Sequence, residues 1–273
     1  MSIAICAIVN DGIVLGSDSA ATTHLDDGSL QAYGRCQKVF PLHDQAPLGA
    51  IIIGVSDIGG HSVSNLMYEL SERLQGRRRE YRSWQIAPET VSVEKVAERL
   101  KQLLFDEHFR PATAENRSEH PLVCYIAGYS ERSQQPEFVE YGFRNDEVIG
   151  PTISRPKNTA RITYGGTYEG ALRLDFGFSP QLPDALTELG IVSKDEVQDV
   201  MKQVQERIRK PMLFPGTPLA EAARIVNFLV ETQIQFSEFT PDPDFVGGAV
   251  QLATISPRSG FRWLHDPEEN RPD

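Results

Sequence analysis

The chain begins MSIAICAIVNDGIVLGSDSA, two apolar runs either side of Asn-Asp-Gly. Asn-Asp-Gly is turn chemistry, and Ile- and Val-rich runs around it read as a β-hairpin. A strand with one face in water alternates apolar and polar residues, but residues 2–9 and 12–16 are apolar at nearly every position. Both strands are therefore expected to be covered on both faces. That requirement excludes most small folds, because such a sheet needs a layer above and a layer below. With 273 residues, 40% of them apolar, the chain is long enough to build that stack.

Farther along, KVF and LGAIIIGV extend the sheet, and then the period changes. Val63, Leu66, Met67, Leu70 and Leu74 fall at helical spacing. PETVSVEKVAERLKQLLFDEHF reads as a second helix capped at Glu89, Thr90 or Ser92. PLVCYIAGYS and PEFVEYGF form a hairpin around ERSQQ, and TARITYGG is a further strand. TYEGALRLDFGF is helical, and SPQLPDALTELG is expected to be a loop inside the domain. Ser193 is the expected cap of a helix with Val197, Val200, Met201, Val204 and Ile208 on one stripe. PLAEAARIVNFLVETQIQFSEF is the longest helix, and VGGAVQLATI and GFRWL are closing strands.

Blocks of strands thus alternate with pairs of helices, which argues against a doubly wound parallel sheet. The expected class is α+β, a four-layer αββα sandwich of two antiparallel sheets. Residues 1–256 are expected to form one domain, with 257–273 a strand extension and a loose tail.

Charge and composition narrow the function. A net charge of −11 repels nucleic acid and anionic lipid, and the one dense basic cluster, Arg77, Arg78, Arg79 and Arg82, reads as a solvated segment. No apolar run is long enough to span a membrane, and the first residues lack signal-peptide chemistry, so a cytoplasmic protein is expected. Cys6 and Cys124 sit in apolar runs and read as reduced core residues. No HExxH, CxxC or phosphate-loop pattern is present, so neither a metal nor another cofactor is expected.

The hairpin also carries chemistry. A three-residue loop at Asn10-Asp11-Gly12, with Gly12 left-handed, would set Val9 opposite Ile13, Ala4 opposite Asp18 and Ser2 opposite Ala20. Ser2 and Asp18 would then share a face, about 7–8 Å apart on the diagonal. A two-residue loop would shift the register and separate them. The small side chain of Ser2 permits removal of the initiator methionine. Ser2 would then carry a hydroxyl and a free α-amine, which ordinarily titrates near ~7.7–8.0 and so supplies its own base at neutral pH.

DGIVLGSDSAATT resembles the DGVVLAADSRAT hairpin of proteasome β-type subunits, members of the N-terminal nucleophile hydrolase superfamily. Further segments are similar in the same order: CQKVFPLHDQAPLGAIIIGVSD, YGGTYEGALRLDFG, PLAEAARIVNFLVETQIQF and PDFVGGAVQLATI. The resemblance is to a bacterial proteasome-like protein, and it implies Ser2 as nucleophile, Asp18 as its acidic partner, Lys38 as the catalytic lysine and Gly54 as the oxyanion donor. Serine replaces the family's threonine. Thr167 offers the one hydroxyl in the family's Gly-Ser-Gly segment, although it also suits the cap of the next helix. Asp242 or Asp244 would stand in for an aspartate that falls on Pro243, and Val246 lies where the family has a serine. The implied activity is hydrolysis of peptide or small-molecule amide bonds in a homo-oligomer that encloses its sites. The alternative is a catalytically inactive scaffold or binding protein of the same fold.

Overall fold

A computed structural model of the chain describes residues 2–24, 30–112, 121–131, 133, 135–240 and 246–266. Its strands are β1 (Ile3–Val9), β2 (Gly12–Ser17), β3 (Ala21–His24), β4 (Leu30–Tyr33), β5 (Val39–Pro41), β6 (Leu48–Ile53), β7 (Asp57–Ile58) and β8 (His61–Ser62). Helices α1 (Val63–Leu74) and α2 (Val93–Lys101) follow, the latter running on into a π-helical turn over Gln102–Phe109. Next come β9 (Leu122–Gly128), β10 (Glu137–Arg144), β11 (Glu147–Ser154) and β12 (Arg161–Gly166). Then come α3 (Glu169–Phe176), α4 (Leu182–Glu188), α5 (Val197–Ile208) and α6 (Leu219–Phe239), and finally β13 (Gln251–Ser256) and β14 (Gly260–His265).

Two five-stranded antiparallel sheets form the centre, in the orders β12-β1-β2-β13-β14 and β11-β10-β9-β6-β5. The core divides into three apolar clusters that match the three interfaces of an αββα sandwich. Ile3, Ile5, Ala7 and Val9 of β1 pack against Ala222, Val226, Leu229 and Val230 of α6. Ala4, Cys6 and Ile8, the alternate residues of the same strand, join Ile51, Ile53 and Tyr125 between the sheets. On the far side, α1 and α2 cover β6, β9 and β10 through Leu66, Leu70, Val96 and Leu100. Burying each large aliphatic side chain contributes roughly 1.5–3 kcal/mol, so β1 and β2 gain on both faces. This is why they lack alternation. Among the described residues, no helix is long and apolar enough to cross a membrane.

The opening hairpin is tighter than expected. Its loop is the two residues Asn10 and Asp11, Val9 pairs with Gly12, and Ala4 pairs with Ser17. Gly12 does not take a left-handed backbone. A Cβ on it would stand 2.8 Å from both Leu219 of α6 and the carbonyl oxygen of Ile255. Close packing, and not turn geometry, is what requires glycine there. In a strand that is apolar on both faces, slippage exposes no polar residue, so such fits hold the register instead. Gly16 is another, since a Cβ there would lie 2.4 Å from Val226.

Two further expectations are corrected. SPQLPDALTELG is not all loop, because α4 occupies its centre with Pro183 in the first turn, where proline's missing N–H costs nothing. The helix after Ser193 begins at Val197, and the Ser193 hydroxyl donates to the Glu196 carboxylate at 2.6 Å instead of capping the backbone. Around the basic cluster, Arg77 pairs with Asp44 and Arg78 with Glu72 in exposed ion pairs.

Candidate active site

Ser2 heads β1 and is buried, 8% exposed. Its carbonyl oxygen accepts the Thr167 N–H at 2.8 Å, just past the end of β12. Gly166, with φ +73°, brings the β12 backbone so close that a Cβ would stand 1.9 Å from that oxygen. The next carbonyl, of Ile3, accepts the Ser17 hydroxyl at 2.7 Å. The main chain of Ser2 and Ile3 is thus held from both neighbouring strands.

The Lys38 ammonium donates to Ser2 Oγ at 2.7 Å and to Asp18 Oδ1 at 2.6 Å. All three residues are buried. Asp18 Oδ1 also accepts the Ile3 N–H at 3.1 Å, and its Oδ2 accepts the Gly247 N–H at 3.1 Å. Burial pushes the Lys38 amine below its ordinary 10.5, while the charge and hydrogen bond of Asp18 act in the opposite direction.

These three residues meet even though the loop has the length expected to part Ser2 and Asp18. The reason is local. Strand β2 ends at Ser17, so the pleat no longer dictates where the next side chain points. The Asp18 carboxylate takes over the ladder's role, accepting a main-chain N–H of β1, and Lys38 reaches across from the second sheet to close the triangle.

No family model matches this chain, and no curated protein does. Among solved structures it is similar to a Gly-1 mutant of Anbu from Hyphomicrobium sp. strain MC1. The identity is 10%, the match covers 97% of this chain and 86% of that one, and the TM-score is 0.45.

Gly54 directly follows β6 with φ +118°, and a Cβ there would lie 2.0 Å from the Pro121 carbonyl oxygen. An L side chain is excluded both by conformation and by space. Thr167 does not cap α3: the N-cap position is Tyr168 without a side-chain bond, and the Gly170 and Ala171 amides donate to Gln233 of α6. The Thr167 hydroxyl is buried and finds no hydrogen-bond partner among the described residues. Asp242 and Asp244 lie outside the described residues. Val246 is fully buried in the α6-side cluster, a packing role.

Gln251, at the start of β13, also serves this site, although no sequence motif singles it out. Its Oε1 accepts the Lys38 and Val39 amides at 2.8 and 3.1 Å, and its Nε2 donates to the Cys36 carbonyl at 2.7 Å. A lone glutamine opening an apolar strand was the available signal. The Gly247-Gly248 pair was visible, but its use was not. The Gly247 carbonyl accepts the Ser19 and Ala20 amides at 3.2 and 2.9 Å. Gly248 (φ +78°) passes so near that a Cβ would be 2.4 Å from Ser19 Oγ.

Proposed function

We propose that this chain is a proteasome-like N-terminal nucleophile hydrolase that cleaves amide bonds with Ser2 after removal of Met1. The observation that carries this reading is the triangle in which buried Lys38 touches both Ser2 Oγ and Asp18 Oδ1, at 2.7 and 2.6 Å.

In the proposed reaction the neutral α-amine of Ser2 accepts the hydroxyl proton as Oγ bonds to the amide carbonyl carbon. The carbonyl π pair moves onto oxygen, where the Gly54 N–H stabilises it; such a donor is worth about 2.7–4 kcal/mol of barrier. Lys38, held as ammonium by Asp18, donates to Oγ and favours the developing negative charge. The intermediate collapses, the C–N bond breaks, and the leaving amine takes the proton from the α-ammonium. Water, deprotonated by the same amine, then hydrolyses the Ser2 ester. Peptides or small amides are the proposed substrates, and a homo-oligomer the proposed assembly.

A second reading, a catalytically silent scaffold, draws support from Val246, whose buried side chain offers no hydroxyl near the Gly-Gly pair. Intact-mass spectrometry separates the two. Hydrolase chemistry requires loss of Met1 and a covalent adduct from a β-lactone or epoxyketone that is absent in Ser2→Ala. Retained Met1 in protein made in its own host, or an adduct indifferent to Ser2→Ala, supports the scaffold.

A further inference from the structure

We infer that Gln251 is the positioning residue that sets Lys38 against Ser2 and Asp18. The inference rests on the hydrolase reading for its consequence in turnover, but not for its geometry.

Lys38 itself lies outside any strand, one residue before β5. Its carbonyl accepts the Ile52 N–H of β6 at 2.9 Å, which ties it to the second sheet. Its N–H has no such ladder partner and goes instead to Gln251 Oε1 of the first sheet. The same oxygen takes the Val39 N–H, and the amide nitrogen of the same side chain takes the Cys36 carbonyl. One glutamine therefore supplies the acceptor and the donor that a missing strand would have supplied, on both sides of Lys38. Leucine has neither group, and an ionised glutamate lacks the donor.

The placement of Gln251 gives this more than local meaning. Gln251 pairs with Ser17 across the ladder, and Ser17 pairs with Ala4 on its other side. Ser17 Oγ holds the Ile3 carbonyl, next to Ser2, and Asp18 is the residue after Ser17. The single rung Ala4-Ser17-Gln251 thus references all three members of the triangle: Ser2 through Ile3, Asp18 through the chain, and Lys38 through the glutamine. Gln251 is wholly buried, so no water competes for its amide. Main-chain N–H and C=O groups left without it would be stranded, and Lys38 would be free to withdraw from the pair.

The test uses the full chain and two variants, Gln251→Leu and Gln251→Glu, with two readouts. The first is the Lys38 Nζ titration by 15N NMR, assigned by its loss in Lys38→Met. In the wild type it lies below an ordinary lysine; in Gln251→Leu it is expected back in the ordinary range. The second is the rate of Ser2 acylation by a β-lactone. A displacement of about 1 Å costs roughly 100-fold, so the maximal labelling rate should fall by that factor in Gln251→Leu while the half-saturating probe concentration stays within about threefold. Should Gln251→Leu fail to fold, Gln251→Glu decides. Its protonated form reproduces all three hydrogen bonds and its ionised form loses the one donated to the Cys36 carbonyl, so the ratio of its rate to wild type should drop about tenfold from about pH 5.5 to about pH 8. Its Lys38 titration should likewise depart from wild type.

An unchanged Lys38 titration in the folded variants overturns the positioning role, as does a labelling rate equal to wild type. If the wild type itself never labels, yet Lys38 is released in the variants, the hydrolase reading falls and the positioning role stands.

Discussion

Lys38 Nζ and Asp18 Oδ1 meet at 2.6 Å with side-chain exposures of 6% and 0%. An ion pair so far from water is held in balance by its two charges, and removing one leaves the other stranded. Lys38→Ala should therefore lose about 3–5 kcal/mol of unfolding free energy, read by urea denaturation at neutral pH. Asp18→Asn/Lys38→Met, which removes both charges at similar volume, should lose less than the single variant. A double variant as unstable as Lys38→Ala would mean that the cost lies in packing and not in charge.

Gly166 lies against the carbonyl of Ser2 with a left-handed backbone. Gly166→Ala is expected to cost about 1–3 kcal/mol in backbone strain and to abolish β-lactone labelling of Ser2. Gly216 has open space around it and an ordinary backbone, so Gly216→Ala should change stability by no more than about 0.5 kcal/mol and leave labelling intact.

The pH profile of labelling should be bell-shaped. Its rising limb reports loss of a proton from the Ser2 α-amine, ordinarily near ~7.7–8.0. Its falling limb reports loss of the ammonium at Lys38, which burial has moved below 10.5. Asp18 opposes that downward shift, so Asp18→Asn lets the lysine fall further and should move the falling limb to lower pH. Movement to higher pH would remove Lys38 as the group responsible.

Thiol reactivity offers a test of the layered core. Burial pushes the Cys6 thiol up to about 12 and Cys124 higher still, and both are sealed inside apolar clusters. Cys36 is half-buried, and burial raises its thiol too. Alkylation of native protein at mildly alkaline pH should therefore modify Cys36 slowly and leave Cys6 and Cys124 untouched, with all three modified in denaturant, as read by intact mass. Native modification of Cys6 would contradict the packing between the two sheets.

Buried hairpin strands and helical stripes were legible in the sequence because burial leaves its mark residue by residue. The four-layer arrangement followed from the order of those marks. What escaped were features set by partners distant in sequence. The reason for Gly12 is the Ile255 carbonyl together with Leu219, so its role cannot be found in Asn-Asp-Gly itself. Strand β11 went unread because it is an edge strand, largely exposed and interrupted by Gly150-Pro151, with no apolar pattern to announce it. The three-residue loop expected for the hairpin was to bring Ser2 and Asp18 together, and the resemblance alone implied Lys38; Asp18 meets the start of β1 because it leaves the strand, and not because it stays in it. Gln251 showed only as a lone polar residue opening an apolar strand, and its three bonds run to partners 213, 212 and 215 residues away in the chain.

Residue 2 has its carbonyl pinned to the neighbouring strand by Thr167 and Gly166, where chain ends ordinarily sample the widest range of conformations. On the hydrolase reading proposed above, an attacking group mounted in this way inherits the rigidity of a central sheet, and its orientation is settled during folding instead of anew in each encounter with substrate. Loss of reactivity and loss of structure should then coincide on heating, leaving no temperature interval in which the fold persists while its reactive end frays.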